Sequence, residues 1–235
     1  MIVSVDMQAA VGQRAGGGRF VRSLAEHLGT YAGEDTLRLF YFDFKRRGLA
    51  FPVHGVKHRA VRWVPGRIVQ RAWKQMNWPP SDWFAGSADI HHFTNFILPP
   101  LRRGAGVVSI YDVSFLRFPE AAEPRNLAYL QSRMPDTIAR ADAILTISEC
   151  CRRDILERLG ASPDQVFVIY PGLDHAPRDV PADEVAGVRR RLGLDRPYFL
   201  MVGTLEPRKN HAFLVDVFEA LDSFDGDLVL AGMPG

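Results

Sequence analysis

The sequence is poor in cysteine, in excess charge and in long apolar segments. Its two cysteines among 235 residues, Cys150 and Cys151, are adjacent. Neighbouring cysteines close a strained ring at best, so a disulfide framework is excluded and a reducing compartment is indicated. The formal net charge is only +2. Such a small excess does not cover a nucleic-acid backbone, so no nucleic-acid partner is predicted.

Signals for secretion or membrane insertion are also missing. No apolar run approaches the roughly 18 residues of an ordinary transmembrane helix. The first residues, MIVSVDMQ, lack the basic segment and the cleavage site of a secretion signal. We therefore expect a cytoplasmic protein, and a tryptophan-rich segment described below raises the inner face of the membrane as a more specific location.

Short β-type runs alternate with longer amphipathic runs over the first 172 residues. Strands are predicted at 2–6, 36–42, 57–64, 88–93, 106–112, 143–147 and 165–169, and helices at 19–31, 67–77 and 127–141, with a further helix capped by Ser148. Alternation at this rhythm predicts an α/β domain, doubly wound, with a parallel sheet and helices on both faces.

The residue composition and the apolar periodicity of the chain change after residue 172. Residues 173–182 contain two prolines and no apolar period, which predicts a linker. A helix at 183–192, a strand at 198–202, a helix at 210–221 and a strand at 227–230 then begin a second alternating unit. Because independent domains commonly run to about 100–150 residues, residues 183–235 are predicted to be the beginning of a second, incomplete domain.

The segment GTLEPRKN, from Gly203 to Asn210, follows a predicted strand and opens a predicted helix. A helix N-terminus offers free amide donors and positive potential, which suit a phosphate group. Arg208 and Lys209 add two full charges in what is predicted to be the first helical turn. A phosphate site and a pair of solvated surface charges both fit this pattern.

Five segments together carry a family resemblance. The frame YFLMVGTLEPRKNHAFLVDVFEAL resembles the donor-binding loop of glycosyltransferase family 4, the retaining enzymes of GT-B fold. Other family positions are matched by DIHHFTNFILPP, IYDVSFLRFPE, ILTISECCRRDILERLGASPDQVFVIYPGLD and LVLAGMPG. The resemblance implies two Rossmann-like domains, with residues 1–172 on the acceptor side and residues 183–235 as the start of the nucleotide-sugar-binding domain.

The resemblance also implies roles for individual residues. Arg208 and Lys209 would bind the donor diphosphate and stabilise the leaving group without a metal ion, so no metal and no cofactor beyond the nucleotide-sugar co-substrate are expected. The remaining donor-binding positions are Gly203 and Thr204 in the same segment and Gly16, Gly17 and Gly18 in a glycine-rich loop after the first strand. The acceptor-side positions are His92, Thr94, Asn95, Ser148 and Glu149.

Two departures from the family pattern affect catalysis. Related enzymes usually carry His-Asp where this chain has Tyr111 and Asp112, which we take as the catalytic candidates. Asp112 has a structural alternative, since an Asp after a strand often forms a turn. The family's pair of late glutamates has no counterpart in this sequence, so we expect the 235-residue chain by itself to be inactive.

Residues 63–84 hold all four tryptophans, accompanied by Arg62, Arg67, Arg71 and Lys74. A basic helix face with interleaved tryptophan suits the surface of an anionic membrane, so peripheral contact through residues 62–84 is one interpretation. A core-facing stripe around Trp73, with solvated arginines outside, is the other.

The predicted function is that of a retaining hexosyltransferase in polysaccharide or lipopolysaccharide biosynthesis. It would move a hexosyl group, best matched by mannose from GDP-mannose, onto a saccharide or a lipid-linked saccharide. The leaving diphosphate would itself take the acceptor proton. The alternative is a truncated, non-catalytic fragment that acts as a binding module or requires a partner chain.

Overall fold

The computed structural model describes residues 1–12, 16–49, 53, 55–172 and 179–233. The chain divides into two compact units, Met1–Pro171 and Gly172–Gly235. Within the described residues no helix is both long enough and apolar enough to cross a bilayer.

The first unit is built on a seven-stranded sheet in which every pairing is parallel. Its strands are β1 (Ile2–Asp6), β2 (Thr36–Phe42), β3 (Lys57–Val61), β4 (Ile90–Phe93), β5 (Ala105–Ser109), β6 (Ala143–Thr146) and β7 (Val166–Val168). The strands lie in the order β3-β2-β1-β4-β5-β6-β7 across the sheet. The chain first adds β2 and β3 on one side of β1 and then adds β4 on the other side, so the order of addition reverses between β1 and β4. The predicted α/β parallel sheet is confirmed, and the reversal is the position at which doubly wound sheets bind ligands.

Helices connect the strands of the first unit. They are α1 (Gln8–Gly12), α2 (Gly16–Tyr31), α3 (Gly66–Met76), α4 (Asp82–Ala85), α5 (Ser114–Arg117), α6 (Pro124–Arg140) and α7 (Glu149–Leu159). The predicted loop at 16–18 is wrong, because these glycines form the first turn of α2. First-turn amides lack intrahelical partners in any helix, which makes the poor helix propensity of glycine least costly there.

Alternation along β2 places helices on both faces of the sheet. Leu37, Leu39 and Tyr41 pack in one cluster with residues of α1 and α2. Phe40 and Phe42 point to the opposite face and pack with residues of α3 and α4. A third cluster joins β5 and β6 to α6 and α7.

The second unit contains α8 (Ala182–Leu192), β8 (Tyr198–Val202), α9 (His211–Glu219) and β9 (Asp227–Ala231). Strands β8 and β9 form a parallel pair, in register from Tyr198 opposite Asp227 to Val202 opposite Ala231. Of the predicted linker, residues 173–178 lie outside the described residues, and α8 begins at Ala182, one residue before the predicted start.

Candidate functional site

Polar side chains meet at the carboxyl edge of the first sheet, where β1 and β4 are neighbours. Asp6 ends β1, Thr94 directly follows β4, and Tyr111 lies two residues beyond β5. The Thr94 hydroxyl donates to the carbonyl oxygen of Asp6 at 2.8 Å, and the Tyr111 hydroxyl donates to the carbonyl oxygen of Thr94 at 2.5 Å. This chain of hydrogen bonds ties three strand ends together at the switch point of the sheet.

Tyr111 is held between two phenylalanine rings. Phe20 of α2 and Phe96 each meet it edge to face, with centroids 5.6 Å apart. Burial raises the pKa of Tyr111 well above its ordinary value, so the phenol is neutral at physiological pH. The phenol proton is donated to the Thr94 carbonyl, and the Ser109 side chain also hydrogen-bonds the phenol oxygen.

His92 lies beneath this edge. Its side chain is buried, and Nε2 is 2.8 Å from the Ser109 hydroxyl oxygen. Burial lowers the pKa of His92 to about 4, so the imidazole is neutral at pH 7. His92 therefore helps to fix the side chain of Ser109, at the end of β5, through this hydrogen bond.

Asp6 is a member of the cluster that sequence reasoning missed. One carboxylate oxygen accepts from the Gln8 amide at 2.9 Å, and the Gln8 side-chain oxygen accepts from the Phe42 amide at 3.1 Å. Burial raises the pKa of Asp6 to about 6, an effect that the Gln8 hydrogen bond partly opposes. The available signal was its position at the end of the first strand, where a lone Asp is easily taken for a turn residue.

The other predicted residues of the first unit lie at the same edge with local roles. The Asp112 carboxylate accepts from the Ser114 amide at 2.8 Å and so opens α5, as the turn interpretation expects. The Ser148 hydroxyl accepts from the Cys151 amide at 3.2 Å, which confirms it as the N-cap of α7. Glu149 and Asn95 are exposed, the former in the first turn of α7 and the latter just after β4.

The predicted donor residues Gly16, Gly17 and Gly18 open α2. Phe20, in the following turn, contacts Tyr111, so the start of α2 reaches the polar edge. A side chain at Gly16 would meet no atom of the described residues within 4 Å. Open space at this position leaves the backbone accessible to a ligand.

In the second unit, Gly203 and Lys209 lie against each other. A Cβ atom at Gly203 would overlap the Lys209 ammonium nitrogen, so glycine makes room for that ammonium over the backbone. The Gly203 amide donates to the Ala231 carbonyl at 2.9 Å, which anchors the loop to β9. Thr204, the next residue, is half-buried.

Arg208 and Lys209 precede α9 instead of lying in its first turn. Pro207–Lys209 forms a 3₁₀ turn, and Asn210 takes a left-handed conformation (φ 50°, ψ 47°) that separates this turn from α9. Asparagine tolerates that conformation better than most residues. The Arg208 guanidinium pairs with Glu206 at 2.6 Å, whereas Lys209 forms no ion pair with the described part of the chain.

A cleft of about 530 Å³ lies beside this loop. Its lining includes Leu205, Glu206, Pro207, His211 and Leu230. The cleft offers a mainly apolar wall beside the loop that carries Arg208 and Lys209.

Metal-ligand groups are not evident in the described residues, where no three His, Cys, Asp or Glu side chains come together. The sequence has one Asp-x-Asp pattern, Asp225 and Asp227. Both of these carboxylates pair with Arg196, Asp227 at 3.3 Å. The single guanidinium of Arg196 therefore offsets one of these two negative charges within the chain.

The parallel sheet with a polar switch point and the second αβ unit with its cationic loop define an α/β protein of the GT-B class. Residues 14–177 match the model of Glycosyltransferase Family 4. The chain belongs to this family.

Similarity to individual proteins is more distant. The chain is 28% identical over 134 residues to the O-antigen chain mannosyltransferase B of Escherichia coli, covering 56% of this chain and 35% of the relative. Anabaena HepE in complex with UDP-glucose superposes with a TM-score of 0.59 at 16% identity, covering 98% of this chain and 60% of HepE. Sucrose-phosphate synthase from Thermosynechococcus elongatus gives a TM-score of 0.63 at 15% identity, with coverages of 99% and 62%. The chain thus spans about a third of the curated relative and about three fifths of these structures.

Proposed function

We propose that the protein is a hexosyltransferase that moves mannose from GDP-mannose to a saccharide or lipid-linked saccharide, with retention at the anomeric carbon. The observation that carries the proposal is the Lys209 ammonium lying over the backbone of Gly203 without a carboxylate partner among the described residues. A cation held against a strand end, with Arg208 beside it, suits a diphosphate.

In this proposal the two cations act on the leaving group. Negative charge develops on the nucleoside diphosphate as the glycosidic bond breaks, and preorganised cations stabilise that charge. Arg208 can exchange its ion pair with Glu206 for an ion pair with the diphosphate, because exposed ion pairs of this kind contribute little to stability. The departing diphosphate takes the acceptor proton, and no metal ion is required.

The first unit would hold the acceptor and the reacting sugar at its carboxyl edge. Tyr111 and Asp112 take the catalytic positions, while Asn95, Ser148 and Glu149 line the acceptor side. Thr94 is fully buried and supports this edge from within. Tyr111 offers a neutral hydroxyl oxygen where a histidine would offer a ring nitrogen. A neutral hydrogen-bond acceptor at this position favours a sugar hydroxyl as the donor.

The choice of donor is supported by the similarity to a protein named as a mannosyltransferase of O-antigen chains. That relative also supports a role in polysaccharide or lipopolysaccharide biosynthesis. The structural neighbour HepE is named with UDP-glucose, so a UDP-linked hexose is the competing donor to be tested.

The test measures binding with the purified chain. Transfer is measured with a longer chain that also carries the family's pair of late glutamates, because the 235-residue chain by itself is expected to be inactive. Saturation-transfer NMR should detect GDP-mannose and GDP but not free mannose, and Lys209→Ala should weaken binding at least tenfold, whereas Lys57→Ala on the exposed edge strand should not. A panel of nucleotide-sugars and saccharide acceptors then identifies donor and product anomer. Transfer from a UDP-sugar would overturn the donor assignment, and nucleotide binding without any transfer would favour the binding-module alternative.

A further inference from the structure

The four tryptophans of residues 63–84 divide into one core residue and three surface residues. Trp73 packs against Phe42 and Phe84, and its indole N–H donates to the Pro79 carbonyl at 2.7 Å. The exposed fractions of the other three are 73% for Trp63, 54% for Trp78 and 49% for Trp83. Core packing accounts for Trp73 and leaves the other three unexplained.

The exposed indoles are fixed in place. Trp78 and Trp83 meet edge to face with centroids 5.6 Å apart, and Trp63 stacks on Phe84 at 5.5 Å. Two further apolar side chains of α3, Ile68 and Met76, are more than half exposed. Rings with an apolar body and one polar N–H fit a boundary between water and an apolar phase.

The outer face of α3 is uniformly basic. Arg67, Arg71 and Lys74 recur at helical spacing on the side opposite the buried Val69, and α3 contains no acidic residue. Arg67 and Arg71 form no ion pair with the described part of the chain, while the Lys74 ammonium lies 4.1 Å from the centre of the Tyr129 ring. Cations at this spacing repel one another, so an external negative surface would stabilise them.

A neighbouring loop adds two more cations. The Arg102 amide donates to the Asp82 carboxylate at 3.1 Å, which brings exposed Arg102 and Arg103 beside α4 and Trp83. Asp82 is the single acidic residue between positions 62 and 84. Its carboxylate keeps its negative charge, but the cations of α3 and of this loop outnumber it, so the surface has a net positive charge beside the indoles.

We propose that residues 62–84, together with Arg102 and Arg103, form a docking surface for a bilayer that contains anionic lipids. Basic residues bind the headgroups, and the three exposed tryptophans enter the interfacial layer. A protein partner would be expected to meet a mixture of charges, whereas this surface is basic throughout α3. The proposal deepens the proposed function, since a lipid-linked acceptor would be presented at the same bilayer.

The first experiment measures binding of the full chain to vesicles without any nucleotide-sugar, so its outcome is independent of donor chemistry. Vesicles of phosphatidylcholine alone are compared with vesicles containing 30 mol% phosphatidylglycerol, at about 50 mM and about 500 mM NaCl. We expect binding to the anionic vesicles that weakens steeply at high salt. Equal binding to both kinds of vesicle, or no binding, would overturn the proposal.

Matched variants locate the surface. The triple variant Arg67→Gln, Arg71→Gln, Lys74→Gln should bind anionic vesicles about 100-fold more weakly. The control triple Arg125→Gln, Arg153→Gln, Arg190→Gln removes the same charge from exposed arginines elsewhere and should retain binding. An equal loss in both triples would overturn the assignment, because net charge alone would then explain it.

Tryptophan fluorescence tests the indoles directly. On binding, we expect a blue shift and protection of the exposed indoles from iodide quenching, and Trp78→Ala with Trp83→Ala should weaken binding at least tenfold. If that double variant fails to fold, protection of the indoles from iodide in the unsubstituted chain, measured with and without vesicles, tests whether the tryptophans enter the bilayer. Unchanged quenching on vesicles, or concentration-dependent self-association without vesicle binding, would overturn the proposal.

Discussion

Replacing Asp6 by Asn should change the pH dependence of folding of the first unit in a defined way. The pKa of Asp6 is raised by burial from 3.8 to about 6. Below pH about 4 the carboxyl is protonated in both the folded and the unfolded chain, so its burial does not lower stability. Above pH about 6 it is ionised in both, and the full free-energy cost of burying the charge lowers stability. A shift of this size corresponds to about 3 kcal/mol, since one pKa unit is about 1.4 kcal/mol.

His92 works in the opposite direction over the same pH range. Burial lowers its pKa from 6.5 to about 4, so its penalty is absent above pH about 6.5 and complete below pH about 4. The magnitude is again about 3 kcal/mol. Between pH 4 and pH 6 the penalty from Asp6 rises while the penalty from His92 falls, so their sum stays nearly constant in the unmodified chain and their pH dependences offset each other.

Single variants should separate the two contributions. Asp6→Asn should be more stable than the parent by up to about 3 kcal/mol at pH 7 and by little at pH 4. His92→Gln should lose stability relative to the parent at pH 7, through its bond to Ser109, and regain it at pH 4. Differences from the parent cancel the titration of groups that all three proteins share, including His91, whose pKa is also lowered by burial.

Urea unfolding followed by tryptophan fluorescence is the assay. All four tryptophans lie in the first unit, so the signal reports that unit alone. Glu157→Gln, on the exposed side of α7, is the matched control for loss of a carboxylate. If Asp6→Asn changed stability equally at pH 4 and pH 7, the buried, proton-binding carboxylate assigned to Asp6 would be refuted.

Three further variants test the site and its supports. In a longer chain that carries the family's late glutamates, Tyr111→Phe should lower transfer while leaving nucleoside-diphosphate affinity nearly intact, because the hydroxyl lies on the first unit. Tyr31→Phe is the control, and unchanged kinetics would remove Tyr111 from catalysis. Ser148→Ala should cost about 1 kcal/mol through loss of the α7 cap, against no comparable loss for Ser162→Ala, whose side chain caps nothing. Gly232→Ala should speed amide exchange across β8 and β9, since its Cβ would overlap the Gly203 carbonyl, whereas Gly187→Ala has open space around it.

Alternation of strand and helix patterns was sufficient to predict the parallel sheet and the division near residue 172. Both follow from local sequence, because side-chain periodicity and turn residues act over a few neighbours. The cap at Ser148 was predictable for the same reason. The limits of the strand before Tyr111 were not, because the strand ends at Ser109, where its pairing with β6 stops, and that pairing depends on distant residues.

The identity of the polar cluster depended on the tertiary structure. Asp6 precedes His92 and Tyr111 by more than eighty residues in the sequence. The strand order places the three strands that carry or precede these residues side by side. Nothing local to Asp6 signals a raised pKa, because that shift comes from burial by the rest of the domain.

The tryptophan-rich segment shows the same division between local and distant causes. Its composition alone was compatible with a core stripe and with a membrane-facing surface. Packing of Phe42 and Phe84 against Trp73 shows that the core interpretation holds for Trp73, whereas the other three indoles are exposed and their role stays a proposal. Sequence determined which chemical groups this protein carries and in which secondary elements, whereas burial and strand order, which depend on distant residues, decided which of those groups lie together and which are exposed.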